Sequence, residues 1–119
     1  MPELSIEAIF GTGTAQTATT FTISKSGLAA ILTAAGYSFN PKADNSADEL
    51  MAALICAGLV NLSPANREVD PINRNVELSY DSTINFDTTT LNGQTYNRHT
   101  VSVNFYKPIA TPKLNPSDF

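Results

Sequence analysis

The sequence predicts an α+β protein, in which an antiparallel sheet of four to five strands carries two short helices on one face. Three observations support this fold class. Apolar and polar residues alternate near both ends of the chain, with the period of a half-buried strand. Two Ala-rich stretches in the middle follow serines and end at glycines, as short helices do. An Asn-Gly pair, the strongest short-range hairpin signal, lies between the last two alternating runs.

The N-terminal part is expected to form an antiparallel pair of strands, giving the overall order β-β-α-α-β-β. The segments "ELSIEAIF" (3–10) and "TFTIS" (20–24) both alternate between apolar and polar residues. The segment between them, "GTGTAQTATT" (11–20), contains no residue that would join a core. It is therefore predicted to be a mobile connection.

Two short helices are predicted next. Ser26 is expected to cap the first helix, and Gly36 to end it in the left-handed conformation. Ser46 and Glu49 form a capping box for the second helix, which we expect to stop at Gly58. Both helices are about three turns long and would be marginal alone, so they must pack against other elements. The predicted core residues are Leu28, Ile31, Leu32, Leu50, Leu54 and Ile55.

A long C-terminal β-hairpin is predicted over residues 76–106, after a loop over residues 62–73. Alternation persists for about twelve residues from Val76, longer than the usual strand. Asn92 and Gly93 then supply a two-residue type I′ turn, which needs positive φ at both central positions.

The turn also predicts the pairing of the two strands. Paired residues must lie the same number of positions before and after the turn at Asn92 and Gly93. Ile84 then faces Val101, and Tyr80 faces Phe105. A slip of one residue would turn every side chain to the other face of the sheet. The remaining predicted pairs are Phe86 with His99, Asp87 with Arg98, Asn85 with Thr100, and Thr83 with Ser102.

The predicted ribbon is long compared with the body that carries it. Arms of this length would reach nearly 50 Å, whereas a domain of this size has a radius of gyration of about 13–14 Å. The polar tip, residues 88–97, is therefore expected to project and contact a partner. A solvated hairpin end, or a ribbon bent by a bulge near residues 81–82, would fit the same pattern. The contact residues at the tip are Leu91, Asn92, Gly93 and Tyr96.

We expect one domain over residues 1–107 and an extended Pro-rich tail over residues 108–119. Prolines spaced four residues apart prevent the tail from forming a helix or a central strand. Its apolar side chains are expected to anchor it to its own body or to a neighbouring subunit. These predicted anchors are Ile109, Leu114 and Phe119.

Composition excludes several classes of partner. The net charge is −4, and the seven basic residues are scattered, so nucleic-acid binding and a polybasic membrane patch are not expected. The longest nearly apolar stretch, residues 50–60, is too short to span a bilayer. The N-terminus lacks a basic signal-peptide region, and the single cysteine indicates synthesis in a reducing cytoplasm.

The sequence offers little chemistry. His99, the only histidine, is expected in mid-strand, and Cys56 lies in an apolar helix without a nearby base. "GTGT" (11–14) lacks the Lys and Ser/Thr of a phosphate loop, and "DNSADE" (44–49) lacks the glycine and acid spacing of a calcium loop. We therefore predict no catalytic residue, cofactor or metal.

The predicted function is that of a non-enzymatic structural protein. Its hairpin tip, its tail and a surface rich in Thr, Asn and Ser favour contacts with copies of itself or with other subunits of a virion-like or phage-like particle. The alternative is a small monomeric module that holds a ligand or peptide between helices and sheet, with residues 11–20 as a lid. An enzyme that uses His99 is a third, weaker hypothesis.

Overall fold

The computed structural model describes residues 5–72, 74–80, 88–106 and 113–119. Helices and strands are mixed, which confirms the α+β class. The elements in chain order are α1 (Ile6–Phe10), β1 (Ala15–Gln16), β2 (Phe21–Thr22), α2 (Lys25–Ala34), α3 (Ala47–Asn61), α4 (Pro64–Val69), β3 (Val76–Tyr80), β4 (Thr88–Leu91), β5 (Gln94–Asn97) and β6 (Val101–Phe105), followed by a 3-10 turn at Pro116–Asp118.

The predicted first strand is wrong, because residues 6–10 form the short helix α1. Ser5 caps it by accepting a hydrogen bond from the Ala8 backbone N–H at 3.1 Å. Ile6, Ile9 and Phe10 instead follow the i, i+3, i+4 spacing of a helix face, and Ile9, which lies outside the alternating set, is the buried residue. Asn61 fixes this helix to α3 by donating from Nδ2 to the Ile9 carbonyl at 2.9 Å.

The predicted mobile connection contains a small hairpin. β1 and β2 pair antiparallel, with Ala15 opposite Thr22. The Thr17 and Thr20 hydroxyls lie 2.8 Å apart across its bend, which gives a polar segment an ordered turn. The predicted pairing of segment 3–10 with segment 20–24 is therefore wrong.

The two central helices form where they were predicted, but their ends differ. Ser24 rather than Ser26 caps α2, since the Ser24 hydroxyl accepts from the Gly27 N–H. Gly36 follows the end of α2 with φ +91°, as predicted. The helix α3 runs on through Gly58 to Asn61, since a glycine inside a helix costs only about 1 kcal/mol relative to alanine and so weakens a helix without ending it.

Both halves of the predicted capping box are present at the start of α3. The Ser46 hydroxyl accepts from the Glu49 N–H at 3.1 Å, and the Glu49 carboxylate accepts from the Ser46 N–H. A further helix, α4, lies in the predicted loop 62–73. Ser63 caps it and Pro64 takes its first position, a combination typical of helix starts.

The core lies between α2 and α3. Leu28 and Leu32 of α2 meet Ala53 and Ala57 of α3, and all four are buried. Small residues on α3 let the two helices approach closely. The other predicted core residues are less covered, and Ile55 is exposed.

A four-to-five-stranded sheet is not present in the described ranges, where the strands form three two-stranded antiparallel pairs. The pair β3–β6 packs on α3, and Gly58 permits the close approach. A Cβ at Gly58 would lie 2.8 Å from the Leu78 side chain. The helix α2 contacts α1 and α3, so the predicted packing of both central helices on one sheet face is replaced by layers of sheet, α3 and α2.

The long hairpin has two registers. At the tip, β4 and β5 pair as predicted, with Leu91 opposite Gln94. At the base, Tyr80 faces Val101 and Val76 faces Phe105, a shift of four residues from the prediction. The predicted partnership of Tyr80 with Phe105, and of Val101 with Ile84, is therefore wrong.

The shift arises because the two arms differ in length between base and tip. Residues 81–87 join β3 to β4, whereas only residues 98–100 join β5 to β6. Thr83 is not the partner of Ser102, which pairs with Ser79. The other predicted pairs, Phe86 with His99, Asp87 with Arg98 and Asn85 with Thr100, involve residues outside the described part of the chain.

Within the 23-residue run Ala47–Val69, an 18-residue window is apolar enough to cross a membrane by length and composition alone, and 17% of that window is buried. The run contains two helices, since α3 ends at Asn61 and α4 begins at Pro64. The fifteen residues of α3 span only about 22 Å, less than the roughly 30 Å of a bilayer's hydrocarbon core.

Candidate functional site

The tip hairpin, β4 and β5 with their turn, is an exposed unit. Asn92 and Gly93 adopt φ of 52° and 79°, the paired positive values that a type I′ turn requires, as predicted. All eight strand residues are exposed. The tip hairpin therefore presents both of its faces to solvent.

The two faces of the tip hairpin differ in chemistry. Thr89 pairs with Tyr96, and Leu91 pairs with Gln94, so Leu91 and Tyr96 are diagonal neighbours on one face. These two side chains are 65% and 50% exposed. The opposite face carries Thr90 and Thr95, whose hydroxyls lie 3.3 Å apart. One face is thus a small apolar contact surface, and the other is neutral and polar.

The predicted tail residues fall in different environments. Phe119 packs its ring on Phe105 of β6, with ring centroids 5.4 Å apart, yet both rings stay roughly half exposed. Leu114 is exposed. Ile109 lies outside the described residues. The C-terminus therefore contacts the pair β3–β6, called the ribbon base below, and enlarges the exposed apolar surface of that pair.

A polar cluster fastens α4 to the ribbon base. Glu77 Oε1 accepts from the Tyr106 hydroxyl at 2.7 Å and from Asn104 Nδ2 at 3.1 Å. The Arg67 guanidinium lies 3.5 Å above the centre of the Tyr106 ring, a cation–π arrangement. The hydrogen bond from Tyr106, followed by that from Asn104, lowers the pKa of Glu77. The same bond to Glu77 raises the pKa of Tyr106.

A cleft of about 570 Å³ opens between α3 and the pair β3–β6. One wall is the outer face of α3, with Ala52, Ile55, Cys56 and Leu59. The other wall comes from Tyr80, His99 and Val101, and Tyr37 lies at one side. The alternative function predicted from the sequence placed a ligand between helices and sheet, but the lining could not be predicted, because its residues come from four separate parts of the chain.

The polar end of the cleft is a tyrosine–histidine pair. The Tyr80 hydroxyl lies 2.6 Å from His99 Nδ1, and the two rings are 5.9 Å apart. Burial raises the pKa of the Cys56 thiol, which therefore stays protonated near neutral pH. The predicted lid, residues 11–20, supplies none of the described lining residues; its glycines pack against α2 instead.

In the part of the chain that the structure describes, no three His, Cys, Asp or Glu residues cluster. Comparison with known proteins found no matching family model, no similar curated protein and no similar solved structure. The candidate sites therefore rest on geometry alone. They are the tip hairpin, the C-terminal contact and the cleft.

Proposed function

We propose that this chain is a non-enzymatic structural subunit that associates with copies of itself or with neighbouring subunits of a larger particle. Its contact elements are the tip hairpin and the C-terminal segment. The concrete form of the proposal is a component of a virion-like or phage-like particle, made in the cytoplasm and then incorporated.

The observation that carries the proposal is the amount of surface left uncovered. The chain exposes 8462 Å². A folded monomer of 12.7 kDa exposes about 6,200 Å². The excess, roughly 2,200 Å², is larger than the roughly 800 Å² that each partner contributes to a standard protein interface.

The chemistry of that surface favours a protein partner. Large exposed apolar side chains occur on the tip, on the ribbon base and on the helices. Two pairs of these side chains lie together, Leu91 with Tyr96 at the tip and Phe105 with Phe119 at the ribbon base, and such neighbouring apolar groups can be buried against a partner. The scattered basic residues and net charge of −4 favour protein over nucleic acid or anionic lipid.

The length of the ribbon makes the tip hairpin its main contact element. We propose that the two registers belong to one arm, with its base on α3 and its tip beyond the core. Main-chain groups on the outer edges of a two-stranded tip can add to a neighbour's sheet, while Leu91 and Tyr96 bury against it. The radius of gyration, 16.3 Å, exceeds the value of about 13.5 Å for a compact chain of this length.

Sedimentation velocity over a range of protein concentrations tests the proposal. We expect the wild-type chain to associate as concentration rises. A Leu91→Ser/Tyr96→Ser double variant should shift the distribution towards monomer, because it removes the apolar face of the tip. Met51→Ser is the matched control, since Met51 is similarly exposed but lies on α3.

Two results would contradict the proposal. One is a wild-type chain that stays monomeric at every concentration. The other is a double variant that associates as strongly as the wild type and as Met51→Ser. Removal of residues 113–119 tests the C-terminal segment independently of the tip. We expect this deletion to weaken association while the helical circular dichroism is retained.

A further inference from the structure

We propose that the cleft between α3 and the pair β3–β6 binds a neutral aromatic small molecule that carries one hydrogen-bond acceptor, such as a carbonyl oxygen. This site is separate from the tip hairpin. Ligand binding in the cleft is therefore a property beyond assembly, whether the chain acts alone or within a particle.

The size of the cleft fits a small molecule. Its volume of about 570 Å³ falls within the roughly 300–1,000 Å³ of ligand pockets in proteins. Its walls combine the aliphatic side chains of α3 with the aromatic rings of Tyr37 and Tyr80. A flat ring can pack its faces against such walls.

The charge of the walls selects a neutral occupant. The described lining residues include no carboxylate, ammonium or guanidinium group. Cys56 stays a neutral thiol because burial raises its pKa. A charged ligand would lose part of its hydration here without gaining a countercharge.

The tyrosine–histidine pair selects the acceptor. When the Tyr80 hydroxyl donates to His99 Nδ1 across 2.6 Å, the neutral imidazole carries its proton on Nε2. His99 lines the cleft, and its Nε2–H then serves as a hydrogen-bond donor to the ligand. With Tyr80 as the donor, the bond holds the His99 ring in place, so the Nε2–H is oriented before the ligand arrives.

The probe for this site is prodan, an uncharged naphthalene ketone whose emission shifts to the blue in apolar surroundings and to the red when its carbonyl accepts a hydrogen bond. We expect saturable binding to the wild-type chain. Ala52→Phe places a ring in the cleft from an exposed position and should weaken binding at least tenfold. Met51→Phe adds the same ring at the adjacent position, which does not line the cleft, and should bind like wild type.

His99→Phe tests the donor while it keeps a ring of similar size. We expect weaker binding and a bluer bound emission than in the wild type, because the carbonyl loses its hydrogen bond. A measurement on the wild-type chain complements the variants. Saturating prodan should slow alkylation of Cys56 by N-ethylmaleimide, since this thiol lines the same cleft.

Three outcomes would overturn the proposal. The first is the absence of saturable binding. The second is equal binding by Ala52→Phe and Met51→Phe, together with unchanged alkylation of Cys56. The third is loss of prodan binding as the protein concentration rises, which would mean that a second copy of the chain, and not a small molecule, covers the cleft.

Discussion

At the residue scale, Glu77 joins three parts of the fold. It lies on β3, and it accepts hydrogen bonds from Asn104 on β6 and from Tyr106 just after it. Through the Tyr106 ring it also meets Arg67 of α4. These bonds strengthen when Glu77 is ionised and Tyr106 is protonated. The cluster is therefore held together most strongly at intermediate pH.

The pH dependence follows from the direction of the two shifts. The pKa of Glu77 lies below its ordinary value of 4.5 in the folded chain, so its contribution is complete above that pH and is lost as pH falls through the folded pKa. The pKa of Tyr106 lies above 10.0, so its contribution is complete below that pH and is lost as pH rises through the folded pKa.

We therefore expect Glu77→Gln to flatten the acid side of the stability curve. Between neutral and acidic pH, the urea midpoint of this variant should fall less than that of the wild type. Glu68→Gln, at an exposed position on α4, is the matched control and should behave like wild type. Parallel curves for Glu77→Gln and wild type would show that the cluster does not couple to folding.

Gly27 is a second residue on which local structure depends. It lies in the first turn of α2, directly beneath the segment that leaves α1. A Cβ at this position would lie within 3 Å of the Thr12 backbone. Only a residue without a side chain lets α2 and this segment come so close.

The prediction is that Gly27→Ala destabilises the fold by about 1–3 kcal/mol, as overpacking does, even though alanine favours helices. Chemical unfolding followed by circular dichroism measures the change. Thr33→Ala, at an exposed position of the same helix, should keep or raise stability. A Gly27→Ala variant as stable as Thr33→Ala would mean that the backbone at Thr12 can move away from the new side chain without loss of stability.

At the element scale, the features that sequence predicted are those set by a few adjacent residues. The capping box at Ser46, the glycine after α2 and the turn at Asn92 and Gly93 all follow from local backbone chemistry. The errors occur where a local pattern has two solutions. Segment 6–10 is short enough for its apolar residues to fit a strand or a helix, and packing on α3 decides for the helix.

The register of the ribbon base shows the same limit. A shift of four residues keeps every side chain on its original face, because the period of a strand is two. Tyr80 meets an apolar partner in either register, whether Val101 or Phe105. The alternation of apolar and polar residues therefore cannot distinguish the predicted register from the observed one. The lining of the cleft depends on that register, which places Tyr80 near His99, and so these lining residues could not be predicted.

The tip hairpin should be energetically independent of the core. Its strand residues are all exposed, so a change there loses no core contact. Gly93→Ala costs about 1–2 kcal/mol locally, because alanine disfavours positive φ. In dilute protein we expect the global unfolding midpoint to stay unchanged while the amides of β4 and β5 exchange faster.

Ser46→Ala is the contrasting variant for this test. It removes one half of the capping box of α3, the helix that every core layer touches. Loss of such a cap costs about 1 kcal/mol, so the global midpoint should fall. If Gly93→Ala lowered the midpoint as much as Ser46→Ala does, the tip would be part of the cooperative core.

At the scale of the whole molecule, the chain exposes more surface than a typical folded monomer of its mass and has a small core. Of the described hydrophobic residues, six are buried, and Leu28 and Leu32 are the large side chains that are almost fully covered. A core of this size gives limited stability to a chain of 119 residues. Covering the exposed apolar faces in an assembly would supply the rest, so association and stability should be linked.

This linkage predicts that the melting temperature rises with protein concentration. For a dimer that unfolds to two chains, a hundredfold rise in concentration adds about 2.7 kcal/mol per dimer and raises the melting temperature by about 5 °C. Calorimetry over that range measures the shift, and Leu91→Ser/Tyr96→Ser should reduce it while Met51→Ser leaves it intact. A melting temperature independent of concentration would mean that the small core stabilises the fold alone, and that the excess surface is solvated in the working protein.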